Sequence, residues 1–287
     1  MSILLTENTK AIIQGITGKV GSAQAKWMLE YGTKLVAGVT PGRKGQNVYG
    51  LPVYDDVLET VEKHGANATV IFAPAAYTKS AVFEALEAGI KLVIVVPEHV
   101  PVADAIEMRE AAKAKGAYLL GPTTPGVISP GIGKLGIMPG NMFKQGRIGV
   151  ISRSGTLSYE AAGYLNDAGM GESTVVGIGA DPVIGMDLPD LLQLFDEDEG
   201  TDAVVIVGEI GGTAEEEAAP FIQKMKKPVV AYIAGRMSPP GKRMGHAGAI
   251  IQGGAGTAES KNEALTKVGA AVAFNLLDVP VLLKKAL

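Results

Sequence analysis

The feature that most limits the fold is a rhythm: short, almost wholly apolar runs, each followed by a stretch of helix length. In the first half these runs are Ala11-Ile-Ile-Gln14, Leu35-Val-Ala-Gly-Val39, Thr69-Val-Ile-Phe72, Leu92-Val-Ile-Val-Val96 and Tyr118-Leu-Leu120. Between them lie segments such as Tyr77 to Ala88, where Ala81, Leu86 and small neighbours mark one helical face. A strand apolar on both sides must be covered on both sides, and alternation with helices makes its sheet parallel. The first half therefore reads as a doubly wound α/β fold of the nucleotide-binding type. A turn-rich segment, Gly121-Pro-Thr-Thr-Pro-Gly126, reads as the linker. Beyond it a second set follows, with strands expected at Ile148 to Ile151, Thr174 to Gly177, Ala203 to Val207 and Val229 to Ile233. A chain of 287 residues is long enough for two cores, divided here as 1–122 and 123–287.

Composition excludes several classes. The net charge of −4 leaves no basic field for nucleic acid, and 5% aromatic residues make few base-stacking platforms. With no cysteine, there is no disulfide, thiolate metal site or cysteine nucleophile. The longest apolar runs fall far short of the roughly 20 residues that span a bilayer. Met1 to Lys10 carries Glu7 and lacks the pattern of a signal peptide. The expectation is a soluble, cytoplasmic protein with neither membrane nor nucleic-acid partner. The acid run Asp196 to Glu199 reads as a solvated helix end, and no metal site is expected.

The first strand is followed by Gly15-Ile-Thr-Gly18-Lys-Val-Gly21, which opens a helix. Glycines there allow a tight turn and let a phosphate approach the amides of the helix start. The spacing is G-x-x-G-x-x-G, not the G-x-G-x-x-G of dinucleotide binding, and a purely structural turn remains a second reading. After the second strand a nicotinamide enzyme would place an acid for the ribose. This chain has Val39-Thr-Pro-Gly-Arg-Lys-Gly45, so Arg43 and Lys44 offer positive charge. That suits a ribose carrying an extra phosphate, as in NADP or coenzyme A, or else a plain basic surface turn. Val96-Pro-Glu-His-Val-Pro101 closes the fourth strand, at the edge where ligands reach such sheets; Glu98 could orient one, while His99 beside prolines reads as structural or surface. His64 reads as a solvated residue at a helix end.

In the second half Ser152-Arg-Ser-Gly-Thr156 repeats the strand–turn–helix pattern, suited both to an N-cap and to an anion. Glu209, in Gly208-Glu-Ile-Gly-Gly212, stands just past an apolar strand, whereas Glu215 to Glu217 read as an acidic first helical turn. The densest group is Gly241-Lys-Arg-Met-Gly-His-Ala-Gly-Ala-Ile250. A neutral imidazole is a nucleophile near neutral pH, and a carboxylate on its other nitrogen fixes the tautomer. Glu209 is the candidate partner of His246, although a lone loop histidine is as often bland.

Together the Gly241–Ile250, Gly208–Gly212, Ser152–Leu157 and Val39–Gly42 segments resemble the α subunit of succinyl-CoA synthetase (succinate–CoA ligase), and the resemblance runs nearly end to end. It implies an N-terminal Rossmann-like CoA-binding domain followed by a flavodoxin-like ligase domain. It also implies a β subunit whose ATP-grasp domain supplies ATP or GTP and Mg²⁺, in an αβ or α₂β₂ assembly. By that resemblance His246 carries a phosphoryl group that passes to succinate, and CoA attacks the resulting succinyl phosphate. Glu209 matches the glutamate supporting the histidine, and Ser154, Gly155 and Thr156 match the helix start that holds its phosphate. Tyr159 matches a residue near the substrate. Thr17, Gly18, Lys19, Val20, Arg43, Val96, Pro97 and Glu98 match CoA-binding positions.

The match has departures. Where many members read Gly-Pro-Asn-Cys-Pro-Gly, this chain has Thr123 and Thr124, placed here at the substrate end. Lys19-Val20 replaces a frequent Ser-Gln, and Pro97 and His99 replace Thr and Gly. These changes touch the acid and CoA ends and leave open a related ligase acting on malate, citrate or acetate. An NADP-dependent oxidoreductase and a non-catalytic CoA-binding module are the alternatives of other classes.

Overall fold

A computed structural model of the chain describes residues 2–252 and 256–287. Its first sheet contains β1 (Ala11–Gln14), β2 (Leu35–Val39), β3 (Asn47–Val48), β4 (Leu51–Tyr54), β5 (Ala68–Ile71), β6 (Leu92–Val95) and β7 (Tyr118–Leu120). They lie in the order β3-β4-β2-β1-β5-β6-β7, parallel except for the β3–β4 hairpin. Helices α1 (Lys19–Glu30), α2 (Val57–His64), α3 (Ala75–Glu87) and α4 (Val102–Ala114) connect the strands. The hairpin was not legible because β3 is only two residues long and Pro52 interrupts β4. Its turn places Tyr49 (φ 51°) and Gly50 (φ 85°) in the left-handed region, as a tight two-residue turn requires.

The second sheet has β8 (Gly126–Ser129), β9 (Gly133–Gly136), β10 (Gln145–Ser152), β11 (Glu172–Gly177), β12 (Ala203–Glu209), β13 (Val229–Ala234) and β14 (Ala271–Ala273). Its order is β14-β13-β12-β10-β11-β8-β9, with a parallel block and an antiparallel β8–β9 edge. Helices α5 (Gly155–Asp167), α6 (Leu188–Glu197), α7 (Ala214–Ile222), α8 (Ala258–Lys267) and α9 (Val279–Ala286) pack around it. Gly126, read as linker, is instead the first residue of β8. A Cβ at Gly126 would fall 1.9 Å from the Leu135 carbonyl oxygen, so glycine is what lets the two strands meet.

The expected parallel strands are all present, with the expected bounds at β1, β2 and β7 and ends displaced by one to three residues in the others. Their interior positions are buried, as at β1, β5 and β6, where all four residues are. Local sequence sets the helix ends. Asp56 accepts from the Glu59 amide to start α2, and Gly65 ends it in the left-handed conformation. Asp187 and Asp190 form a reciprocal cap on α6. The acid run at Asp196 does end a helix, and the Asp196 carboxylate accepts from the Lys226 and Lys227 amides.

The two sheets share one apolar core cluster that includes Ile13, Met28, Leu120, Val127, Leu135 and Ile178. Backbone bonds join them as well, with Gly121 N–H donating to Ile178 (3.2 Å) and Met186 N–H to Leu119 (2.8 Å). Among the described residues no helix is long and apolar enough to cross a membrane.

Candidate active site

Each sheet reverses its winding once, and both candidate loops lie at those reversals, where crevices open in sheets of this kind. In the first sheet the reversal falls between β1 and β5, and the Gly15–Gly21 turn leaves β1 there. A Cβ on Gly15 would lie 3.1 Å from the Phe72 backbone, and one on Gly21 only 2.2 Å from the Gly15 carbonyl oxygen. The glycines thus let the turn fold flat onto the start of α1. Gly18 caps α1 without a side-chain bond, and the first turn has no acid, so the helix start faces outward unneutralised. Gly18, Lys19 and Val20 are exposed, while Thr17 is partly covered and donates its amide to the Thr40 hydroxyl at 3.4 Å.

Arg43 and Lys44 turn out to differ. Asp55 accepts from both of their amides, at 3.0 and 3.1 Å, which shapes the turn. The Lys44 ammonium is then taken by Glu59 at 2.9 Å, which holds its pKa up. Arg43 is exposed and among the described residues has no ion pair. Of the two cations, Arg43 is the one left for a ligand. Val96 and Pro97 are partly buried at the end of β6, and the Pro97 carbonyl accepts from Thr123 N–H at 3.1 Å. Glu98 is exposed, and so is His99, with φ 63°. His64 departs from expectation: it is half-buried and bonded to the Tyr54 hydroxyl at 2.8 Å.

In the second sheet the reversal falls between β10 and β12, and these strands deliver the α5 start and Glu209 side by side. Ser154 spends its hydroxyl on the Leu157 amide at 3.4 Å, capping α5. Gly155 and Thr156 follow at the helix start, with Thr156 exposed. The Tyr159 hydroxyl sits 3.5 Å from where a Gly155 Cβ would stand, beside Pro125, and its ring meets Phe143 edge-on. Burial pushes the Tyr159 phenol pKa up, so it stays a neutral donor.

His246 lies in the loop after β13. A turn with Ala249 N–H donating to the His246 carbonyl (3.2 Å) shapes that loop, and Gly248 N–H donates to Ala180 (3.1 Å) to tie it down. His246 Nδ1 lies 2.7 Å from Glu209 Oε2, and the imidazole is about one third exposed against 8% for the glutamate side chain. With Nδ1–H donating to the carboxylate, Nε2 carries the free lone pair. The Glu209 hydrogen bond holds the His246 pKa above its ordinary value, opposed by desolvation and by the Arg153 cation.

The two threonines have different roles. Thr123, at φ 56°, donates its hydroxyl to Asp181 Oδ1 at 3.0 Å. Thr124 is buried, its hydroxyl bonded to the Gly177 carbonyl and accepting from Gly126 N–H at 2.9 Å. Thr124 therefore braces the junction, its hydroxyl bonded within the chain. Asp181 was not singled out from the sequence, although its place just beyond β11, before Pro182, carried a signal. Its pKa is raised by burial, and it shares a field with Glu98, His99 and His246. Glu215 also departs from expectation, being fully buried and paired with Lys261. Beside the histidine loop a cavity of about 670 Å³ is lined by Arg109, Arg153, Asp181, Thr213 and Arg243, among others.

The CoA binding domain family matches residues 6–99 and the CoA-ligase family residues 151–271. The succinate–CoA ligase [ADP-forming] subunit alpha of Methanothermobacter thermautotrophicus is 56% identical over 94% of this chain and 92% of its own. Subunit alpha 2 of Archaeoglobus fulgidus is 54% identical over the whole of both chains. Among solved structures, Methanosaeta concilii ATP citrate lyase superposes with a TM-score of 0.91 at 26% identity; it covers 99% of this chain, which spans half the length of that one. Two α/β units, the first matched by the CoA binding domain family and the second by the CoA-ligase family, define a CoA ligase in class. The chain belongs to the family of ADP-forming succinate–CoA ligase α subunits.

Proposed function

We propose that the chain is the α subunit of a nucleotide-dependent succinate–CoA ligase, an acid–thiol ligase in which His246 is the phosphoryl carrier. The observation that carries the reading is the 2.7 Å contact between Glu209 and His246 Nδ1, which leaves Nε2 free to attack. In the ligase direction Nε2 attacks the terminal phosphoryl of a nucleoside triphosphate, a P–O bond breaks, and the nucleoside diphosphate leaves. A succinate carboxylate oxygen then attacks the same phosphorus, the P–N bond breaks, and His246 returns neutral. The CoA sulfur, having lost its proton, attacks the carbonyl carbon of succinyl phosphate and expels phosphate. Glu209 holds the tautomer throughout and balances the imidazolium character that develops. The amides at the start of α5 face the anion. The relatives' names support succinate as the acid and ADP as the nucleotide product, over malate, citrate or acetate and over an oxidoreductase.

For CoA the reading assigns the turn Thr17, Gly18, Lys19 and Val20 to the phosphates, Arg43 to the ribose phosphate, and Val96, Pro97 and Glu98 to the second segment. The flat, uncapped start of α1 and the unpaired Arg43 fit a polyanionic ligand. Tyr159 and Thr123 border the substrate, with Ser154 shaping the phosphate-binding turn of Gly155 and Thr156. The nucleotide and Mg²⁺ belong to an ATP-grasp β subunit, in an αβ or α₂β₂ complex, and Mg²⁺ there neutralises phosphate charge. The β7–β8 interval supports a division into 1–122 for CoA and 123–287 for phosphoryl transfer. A cytoplasmic location fits the need for nucleotide and CoA. The test is a substrate panel with the αβ complex: succinate should discharge labelled enzyme in the presence of CoA, and discharge only by another acid overturns the substrate.

A further inference from the structure

Behind Glu209 runs a buried file of alternating charges that the phosphoryl-transfer chemistry does not itself use. Arg153 is 8% exposed, and its Nη1 donates to the carbonyls of Glu209 (3.2 Å) and Gly211 (2.9 Å). Its Nη2 lies 3.6 Å from Glu209 Oε1, and its Nη1 lies 3.6 Å from Glu215 Oε1. Glu215, fully buried, accepts from the Glu209 amide at 3.3 Å and pairs through Oε2 with Lys261, which is also fully buried. Lys261 in turn donates to the Gly211 carbonyl at 3.1 Å and lies 3.6 Å from Glu216. The order Lys261, Glu215, Arg153, Glu209, His246 alternates in sign from the core to the reacting ring. Buried charges are tolerated when each is paired, and removing one strands its neighbour.

Two features show that this file positions the glutamate rather than merely filling space. Glu209 Oε1 is buried and has no hydrogen-bond partner, so the Arg153 guanidinium is the cation beside it among the described residues. Arg153 and Lys261 also grip the same Gly211 carbonyl, on the turn that carries Glu209. Gly208 belongs to the same fit, because a Cβ there would lie 2.4 Å from Glu215 Oε1.

We propose that Arg153, anchored by the Glu215–Lys261 pair, is a positioning residue for phosphoryl transfer that fixes the Glu209 carboxylate against His246. The inference rests on the reading of His246 as phosphoryl carrier. Arg153 holds the turn through Nη1, which donates to both carbonyls, and through Nη2 sets a cation beside Glu209 that offsets it at the imidazole. The charged groups acting on the imidazole are Glu209 and Arg153 behind it, Glu98 past the end of β6 and Asp181 past the end of β11; Lys242 and Arg243 share its loop in sequence.

The test is the pH dependence of His246 phosphorylation by ATP and Mg²⁺ in the αβ complex, for the natural chain, Arg153→Gln and Arg153→Lys. Phosphorylation requires the neutral imidazole, so its rate rises with pH. Loss of the cation in Arg153→Gln favours the imidazolium and moves that rise to higher pH. Arg153→Lys keeps the charge and loses the fork: the rise stays in place, and the plateau rate falls at least about tenfold. A purely structural role would lower the yield of folded complex and leave the midpoint unmoved. If Arg153→Gln does not assemble, Arg153→Lys decides alone, and a natural plateau rate in it overturns the proposal. A natural midpoint and rate in Arg153→Gln overturn it equally. Absence of label on the natural chain would instead overturn the His246 reading itself.

Discussion

Glu209 Oε2 and His246 Nδ1 meet at 2.7 Å although 37 residues separate them, because β12 ends where the loop after β13 folds back. The carboxylate is the largest influence raising the imidazole's pKa above its ordinary value. Glu209→Gln removes that influence and the tautomer bias together. The pH at which phosphorylation rises should move down, toward or below 6.5, while the maximal rate falls by roughly 10²-fold. A phosphorylation rate profile between pH 5 and 9 checks both.

Gly211 faces Gly248 so closely that a Cβ at Gly211 would lie 2.1 Å from the Gly248 carbonyl oxygen, and its φ of 90° is one that side chains resist. Gly211→Ala should push the histidine loop off Glu209 and slow phosphorylation at least about tenfold, at a strain of order 1–3 kcal/mol. CoA affinity, set on the other sheet, should not change. Titration of CoA alongside the labelling rate separates the two.

Arg43 is expected to act only on CoA. Arg43→Ala should raise the CoA KM about tenfold, equivalent to about 1.4 kcal/mol, and leave kcat and His246 labelling nearly unchanged. CoA lacking its ribose phosphate should bind the variant and the natural chain alike. Lys44→Ala, whose ammonium is already held by Glu59, should change the KM little.

Away from both sites, Glu172 is fully buried at the start of β11, and desolvation raises its pKa to about 7. Its Oε2 accepts from the Lys144 amide at 3.0 Å, and its Oε1 has no partner. A carboxyl with a raised pKa binds its proton more tightly folded than unfolded. Its contribution is therefore favourable at low pH and is lost as pH rises from about 4.5 to about 7. Glu172→Gln should remove that loss and raise the melting temperature at pH 8, by up to about 3 kcal/mol of stability. Melting curves at pH 5 and pH 8 should converge for the two chains at the acid end.

Much of this was legible in the sequence, for a definite reason. Strands buried on both faces, such as Leu92–Val95, leave an unmistakable apolar run, and turns that must bend sharply leave glycines. His246 and Glu209 stood out because each polar residue follows an apolar strand or sits among small residues. The β3–β4 and β8–β9 hairpins were missed because the strands are short and interrupted by proline or glycine, which hides any apolar alternation. Lys261 reads as an ordinary helical lysine, and Glu215 as an acid at a helix start. Only the fold brings them together beneath Arg153. Thr124 stood out by its place at the junction, and the direction of its hydroxyl, toward the Gly177 carbonyl, is a three-dimensional fact.

The central claim is that His246 carries the phosphoryl group. The most direct measurement incubates the α chain with its β partner, labelled ATP and Mg²⁺, and follows protein-bound phosphate in acid and in base. The account predicts one label per α chain on His246, stable in base, lost in acid, discharged by succinate with CoA, and absent from His246→Asn. Turnover at the natural rate by a folded His246→Asn complex would contradict it.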